Sequence, residues 1–331
     1  MNKDLVDVLA CPECASPDLV VLSDTALACP RCEARYPVVN GIPQLLPVRL
    51  AASLAHRDVY AERVTAAIRD NRDSTDPNDP ETDRFMWERE LYGWAKEVVY
   101  RDSRAADILV SYCENGARGL CQFLRESVGG VAGKSLLYVG SGNDRHVSLP
   151  LQAEGAFIVN LDIASEPLED LAQAGASCCV CGDARALPFR AEAFEVVFSK
   201  GSVHHSHPID EPLQAMVRAV RPGGHLIIAE PNKHAVFELR LPGFLLPPGF
   251  GYPSPYENAL SAGDVMGVLR RQGVSGFRVV ALTHAPPGIP LSVAGLWDRL
   301  GRAMPWLFDR FAFEFVLYGR KTPGSALSTA G

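Results

Sequence analysis

The sequence predicts an α/β fold: a Rossmann-like sheet with helical lid insertions, behind a small N-terminal zinc ribbon. Three observations predict it. Leu136, Leu137, Tyr138 and Val139 run straight into Gly140, Ser141 and Gly142, which reads as a buried strand ending in a turn where only small residues fit. Roughly twenty residues on, an apolar run ends in Asp162, and roughly twenty beyond that Cys181 and Gly182 lead into Asp183. Near the start, Cys11 with Cys14 and Cys29 with Cys32 form two Cys-x-x-Cys pairs.

Residues 1–48 make the ribbon. Each cysteine pair suits a tight knuckle turn, and two pairs close a tetrahedral thiolate site of the kind structural Zn2+ takes, with no open position for catalysis. So short a segment buries little core, and the metal supplies the missing folding energy. A redox dithiol and unrelated surface cysteines are the competing readings. The paired spacing and the lack of a neighbouring β-α-β pattern favour zinc.

Residues 49–130 read as a helical linker and cap. Helical spacing over 51–72 gives way to a polar, proline-bearing loop over 73–80. An aromatic stretch over 85–100 follows, with Phe85, Trp87, Tyr92, Trp94 and Tyr100, and serves either as substrate cover or as plain core. A further helix spans 108–128 and leads into the sheet.

Residues 131–321 hold the sheet. A helix over 145–152 follows the glycine turn, and its start offers free N–H groups to a ligand. Strands are expected over 158–162, 194–199, 225–230, 277–282 and 311–319, with an amphipathic helix over 261–273. Two apolar, proline-bearing insertions, 233–259 and 285–310, are expected to fold back as lids over an apolar pocket. The tail, 322–331, is expected to be disordered. Cys178, Cys179 and Cys181 lie close together, but alternation along a strand sends neighbours to opposite faces. Buried free thiols are expected there, not a second metal site.

The bulk numbers exclude some classes. A net charge of −7 and a pI near 5.7 weigh against non-specific binding to nucleic acid or anionic membrane. The ribbon itself carries more acids than bases, which makes it a poor phosphate binder; a packing or homodimer-forming role is expected instead. No apolar leader or bilayer-length run is present, so no secretory signal and no stable membrane insertion are expected. Nine cysteines without a leader fit a reducing, cytoplasmic location.

The order of motifs resembles the class I S-adenosylmethionine-dependent methyltransferases, in the small-molecule branch. It is carried by the Gly140 turn, Asp162, the run from Gly182 through Asp183 and Ala184 to Pro188 and Phe189, the strand ending in Ser199, and the Pro222-Gly223-Gly224 turn before the next strand. The resemblance implies a seven-stranded methyltransferase sheet that binds S-adenosyl-L-methionine. It implies that Tyr138, Gly140, Ser141, Gly142 and Asn143 approach the methionine part, that Asp162 with Ile163 holds the ribose, that Asp183 with Ala184 contacts the adenine, and that Ser199 borders the site. Two positions depart from the family. Tyr138 stands where an acid is usual, and Asp144 stands where the third glycine is usual. Either change alters how the methionine amino group is held. Tyr138 through its hydroxyl, or Asn143 with Asp144, is the candidate compensation.

The ribbon, with Tyr36, Pro37, Asn40, Gly41, Ile42 and Pro43 after the second cysteine pair, is similar to the zinc-ribbon family typified by the activator subunit of tRNA and translation-factor methyltransferases. A ribbon also opens the bacterial ribosomal RNA guanine methyltransferases, so RNA reading is an open alternative.

After Ser199 comes a loop carrying His204, His205 and His207, where nucleic-acid and glutamine methyltransferases often show an Asn/Asp-Pro-Pro-aromatic motif. That motif is missing, which favours a small-molecule acceptor. His204 and His205 are candidate bases for an acceptor hydroxyl or amine. The bland reading has His204 pack or cap a helix. The expected function is methyl transfer to a small, apolar or polycyclic metabolite. An RNA or protein methyltransferase and a non-catalytic scaffold are the alternatives.

Overall fold

Two knuckle turns build the ribbon from the same backbone pattern. Ala15 donates its N–H to Cys11 O at 2.8 Å, and Glu33 donates to Cys29 O at 2.9 Å. Ala15 and Glu33 both take positive φ, 54° and 63°, so each turn curls back on its first cysteine. Around them stand helix α1 (Lys3–Val8) and strands β1 (Val20–Ser23), β2 (Ala26–Ala28), β3 (Arg35–Val39) and β4 (Ile42–Leu45). Asn40 and Gly41, at φ 52° and 79°, join β3 to β4 through the tight turn that an Asn-Gly pair favours.

The computed structural model describes residues 2–70, 75–76, 78–94, 103–235, 258, 260–284, 291–304 and 312–323. Tyr100, most of the lid expected over 233–259, the flanks of the lid over 285–310 and the tail beyond 323 lie outside the described residues. The cap contains α2 (Val48–Ser53), α3 (Arg57–Asp70), α4 (Pro80–Trp94) and α5 (Ser103–Val128). The sheet region runs β5 (Ser135–Val139), α6 (Arg145–Ala153), β6 (Phe157–Asp162), α7 (Ser165–Gln173), β7 (Cys179–Gly182), β8 (Phe194–Lys200), α8 (Asp210–Ala219) and β9 (Val220–Pro231). It ends with α9 (Ala262–Arg271), β10 (Val274–Thr283), α10 (Leu291–Ala303) and β11 (Glu314–Lys321).

Seven strands, β5 to β11, match the expected count, but the sheet does not stop there. Its order is β1-β2-β3-β4-β7-β6-β5-β8-β9-β11-β10, eleven strands in all. The ribbon joins because β4 pairs parallel with β7, Gln44 opposite Cys181 and Leu45 opposite Gly182. Backbone groups that would otherwise form an exposed edge of β7 are thereby satisfied. Ala10 donates to Pro188 O and Arg190 donates to Val8 O, both at 2.9 Å, which stitches the first knuckle to the loop after β7.

The core follows the strand alternation. Leu136 and Tyr138 pack with Leu120, Leu124, Val147 and Leu151 from α5 and α6. Leu137 and Val139 face the other way, into one continuous cluster with Leu5, Leu9, Leu27 and Leu45 of the ribbon and with Phe189 and Leu213. Cys178 lies in that cluster, whereas Cys179 and Cys181 pack on the opposite face beside Phe85 and Leu168. Among the described residues, the metal-competent group is Cys11, Cys14, Cys29 and Cys32, whose sulfurs lie within 4.8 Å of one another. No described helix is long and apolar enough to cross a membrane.

Because ribbon and sheet share strands and core, they are expected to unfold together. Cys11→Ser should cost more than about 3 kcal/mol and lower the melting temperature of the whole chain by roughly 5 to 10 °C in a single transition. Calorimetry showing a separate ribbon transition, with the main one unmoved, would contradict this.

Candidate active site

Strand β5 pairs with β6 on one side and β8 on the other, so the chain order reverses at β5. A crevice opens beyond the carboxyl ends of the strands at such a switch point. A cavity of about 690 Å³ lies there, walled by the segments that leave β5, β6, β7 and β8.

The first wall is the glycine turn. Gly140 has φ +66°, and a Cβ there would fall 2.2 Å from Ser202 Cβ, so no other residue fits. Ser202 Oγ donates to Val139 O at 3.1 Å, which clamps the loop after β8 to the end of β5. Gly142 also has positive φ, +50°, but a Cβ there would meet nothing within 4 Å. It borders the open cavity.

Asp162 ends β6. Its Oδ2 accepts the Gly142 N–H at 2.8 Å and its Oδ1 accepts the Ala164 N–H at 3.0 Å. Burial pushes its pKa up, against the pull of those two N–H groups. Asp183, only 4% exposed, is gripped by Arg185, whose Nη2 lies 2.6 Å from Oδ2 and whose backbone N–H donates to Oδ1 at 2.9 Å.

The two candidate bases separate. His205 lines the cavity, with Glu88 Oε2 of α4 2.9 Å from its Nδ1. His204 does not line it. It is buried, its Nδ1 2.7 Å from Glu230 Oε2, and its ring lies 4.1 Å from that of His205. The other Glu230 oxygen accepts the N–H groups of Ser202 and Val203 at 3.2 and 2.9 Å. Glu230 therefore holds the whole turn that presents His205. Ser199 is fully buried in β8 and does not reach the cavity; Lys200, Gly201 and Ser202 occupy that stretch of wall. Tyr138, Ser141, Asn143, Ile163 and Ala184 do line it.

The cap helix α4 closes one side. Arg89 donates to Ile163 O at 2.6 Å and Arg84 to His207 O at 2.9 Å, anchoring the helix to the loops after β6 and β8. The described wall on this side is charged, with Arg84, Glu88 and Lys200 beside Phe85. The segments read as apolar lids lie mostly outside the described residues. Sequence reasoning missed Glu88, Glu230, Arg84 and Arg185. For Glu230 a signal existed: an acid closing an apolar strand, as at Asp162.

Both expected groups fit these residues. Cys11 Sγ lies 3.6 Å from Cys32 Sγ, and Cys14 Sγ lies 3.6 Å from Cys29 Sγ. Thiolates about 2.3 Å from a tetrahedral ion stand roughly 3.8 Å apart, so the donor set suits zinc. The Gly142 cradle and the acids ending β6 and β7 suit a nucleoside with a small charged tail.

Comparison with known proteins matches residues 137–228 to a family described as a methyltransferase domain. The biotin biosynthesis bifunctional protein BioHC of Cellvibrio japonicus (strain Ueda107) is 31% identical over 107 residues, 32% of this chain and 21% of that protein. The chain thus spans about a fifth of that relative's length. A UPF0434 protein of Nitrosococcus oceani is 39% identical over 46 residues, a stretch about the length of the ribbon, covering 14% of this chain and 78% of that protein. Among solved structures, a SAM dependent methyltransferase from Archaeoglobus fulgidus aligns with a TM-score of 0.45 at 15% identity, over 62% of this chain and 94% of that one.

Glu230→Ala should strand two backbone N–H groups and a buried imidazole, costing about 3 kcal/mol or more in urea unfolding; a cost under about 1 kcal/mol would contradict the assignment. Burial, with His205 beside it, lowers the His204 pKa. The unfolded chain then binds the proton first, so this share of stability is complete above about pH 6.5 and lost below it. His204→Asn should flatten the fall of stability with pH in that range, and an unchanged slope would argue against it.

Proposed function

We propose methyl transfer from S-adenosylmethionine to a small metabolite for this chain, which belongs to the methyltransferase-domain family over residues 137–228 and to the UPF0434 family over a 46-residue stretch. The observation that carries the reading is one shared cavity, with Asp162 and Asp183 along one rim and His205, backed by Glu88, along another.

When bound, the cofactor supplies an electrophilic methyl group on a sulfonium sulfur. The chain does the rest by position. Gly140 and Gly142 expose bare backbone at the turn. Asp162 has lone pairs left that would take ribose hydroxyls after its two backbone bonds, and Asp183 with Ala184 would border the adenine. His205 takes the proton from an acceptor hydroxyl or amine as the methyl arrives. The Glu88 carboxylate, 2.9 Å from Nδ1, would stabilise the positive charge the ring takes on. His204 acts through Glu230, as a positioning residue for the turn. Cys11, Cys14, Cys29 and Cys32 would all engage one ion and leave no open position, so a metal held there would be structural.

A small acceptor is supported by the cavity's size, within the usual range for small-molecule sites. An apolar body is supported by the apolar composition of the two insertions in the sequence. Arg84 and Lys200 in the wall suit a polar or anionic handle on that body. The acidic ribbon and the net charge of −7 disfavour an RNA acceptor.

The test is incubation of the zinc-loaded chain with S-adenosylmethionine and fractionated metabolites, read by mass spectrometry for a gain of one methylene. A methylated small molecule is expected, with kcat down about 100-fold or more in His205→Ala and about tenfold in Glu88→Gln at little change in KM. Labelled RNA without any labelled metabolite would overturn the reading.

A further inference from the structure

The swap at positions 138 and 144 has a geometry. Asp144 is the N-cap residue of α6, a place where an aspartate ordinarily accepts an N–H from its own helix. Here its side chain makes no capping bond. Instead Oδ2 accepts the Tyr138 hydroxyl at 3.0 Å, and Tyr138 is itself 1% exposed and stacked on Phe198 with ring centroids 4.5 Å apart. The second oxygen, Oδ1, is buried and has no hydrogen-bond partner among the described residues. Tyr138 and Asp144 both line the cavity. A carboxylate oxygen held rigidly, out of water and without a donor is costly unless something completes it. The protein also forgoes a helix cap to keep it there.

We propose that Asp144 is the receptor for the cofactor's methionine ammonium group, and that Tyr138 fixes its orientation. The acid usual in strand β5 has moved six residues along the chain to the start of α6, and a tyrosine fills the vacated place and aims it. Oδ1 is closed off from water where it stands, so completing it takes a small turn of the carboxylate toward the cavity that Asp144 lines, where the ammonium of the cofactor's amino-acid tail has N–H groups to give. Neither Tyr138 nor Asp144 takes part in proton transfer; both set where the sulfonium end of the tail lies. This rests on the methyltransferase reading.

The test is titration calorimetry of the full chain with two ligands. S-adenosylhomocysteine carries the ammonium, and methylthioadenosine lacks the amino-acid tail. Asp144→Asn is expected to weaken S-adenosylhomocysteine by about 10- to 100-fold while methylthioadenosine changes less than about threefold. Tyr138→Phe, which keeps the carboxylate but frees it, is expected to weaken only the first ligand, by about three- to tenfold. The pair Tyr138→Asp with Asp144→Gly, which returns the acid to the strand, is expected to recover most of the loss. Equal losses for both ligands in Asp144→Asn, or no loss for S-adenosylhomocysteine, overturn the proposal. Should the unaltered chain bind neither ligand, the methyltransferase reading falls, and this inference with it.

Discussion

Strand β5 is hydrogen-bonded on both sides, to β6 and to β8, and this double pairing is the constraint on which the site depends. Leu136, Leu137, Tyr138 and Val139 each find a partner in both neighbours, Ile158 to Leu161 in one and Val196 to Ser199 in the other. The strand is fixed in register and depth, so the turn that follows it is fixed as well. Ser202, arriving from β8, then leaves no room for a side chain at position 140. A close approach of two loops is possible only because the two strands beneath them cannot slip.

Around that fixed point the fold places charges with partners of unequal strength. Asp162 and Asp183 are held by backbone N–H groups and by an arginine. Glu230, fully buried, holds two N–H groups and His204. Each is a buried acid made tolerable by donors from a neighbouring loop, and each therefore ties a loop to a strand end. Asp144 differs, because one of its oxygens lacks a donor. The ribbon adds stiffness from outside, lengthening the sheet at β7, the strand that leads into Asp183.

Much of this was legible in the sequence. The apolar runs placed β5, β6, β8 and β9, since burial on both faces of a parallel strand leaves an uninterrupted apolar signature. The knuckle turns were legible because the cysteine spacing requires them. The docking of β4 on β7 was not: nothing local in Ile42 to Leu45 says which edge the segment meets. Glu88 was hidden among aromatics on a helix, and its partner His205 is brought close only by the cap's tertiary packing. His204 and His205 looked alike, although burial sends one to Glu230 and the other to the cavity. Ser199 was read as part of the site because strand ends cannot be placed to the residue from sequence.

The most direct test of the account is hydrogen–deuterium exchange of the full chain with and without S-adenosylhomocysteine. Slowed exchange is expected in the strand-end segments 140–146, 162–173, 183–186 and 200–206 and in 84–88 of α4, which all border one cavity. Protection elsewhere, or no protection at a concentration far above the millimolar range, would contradict it.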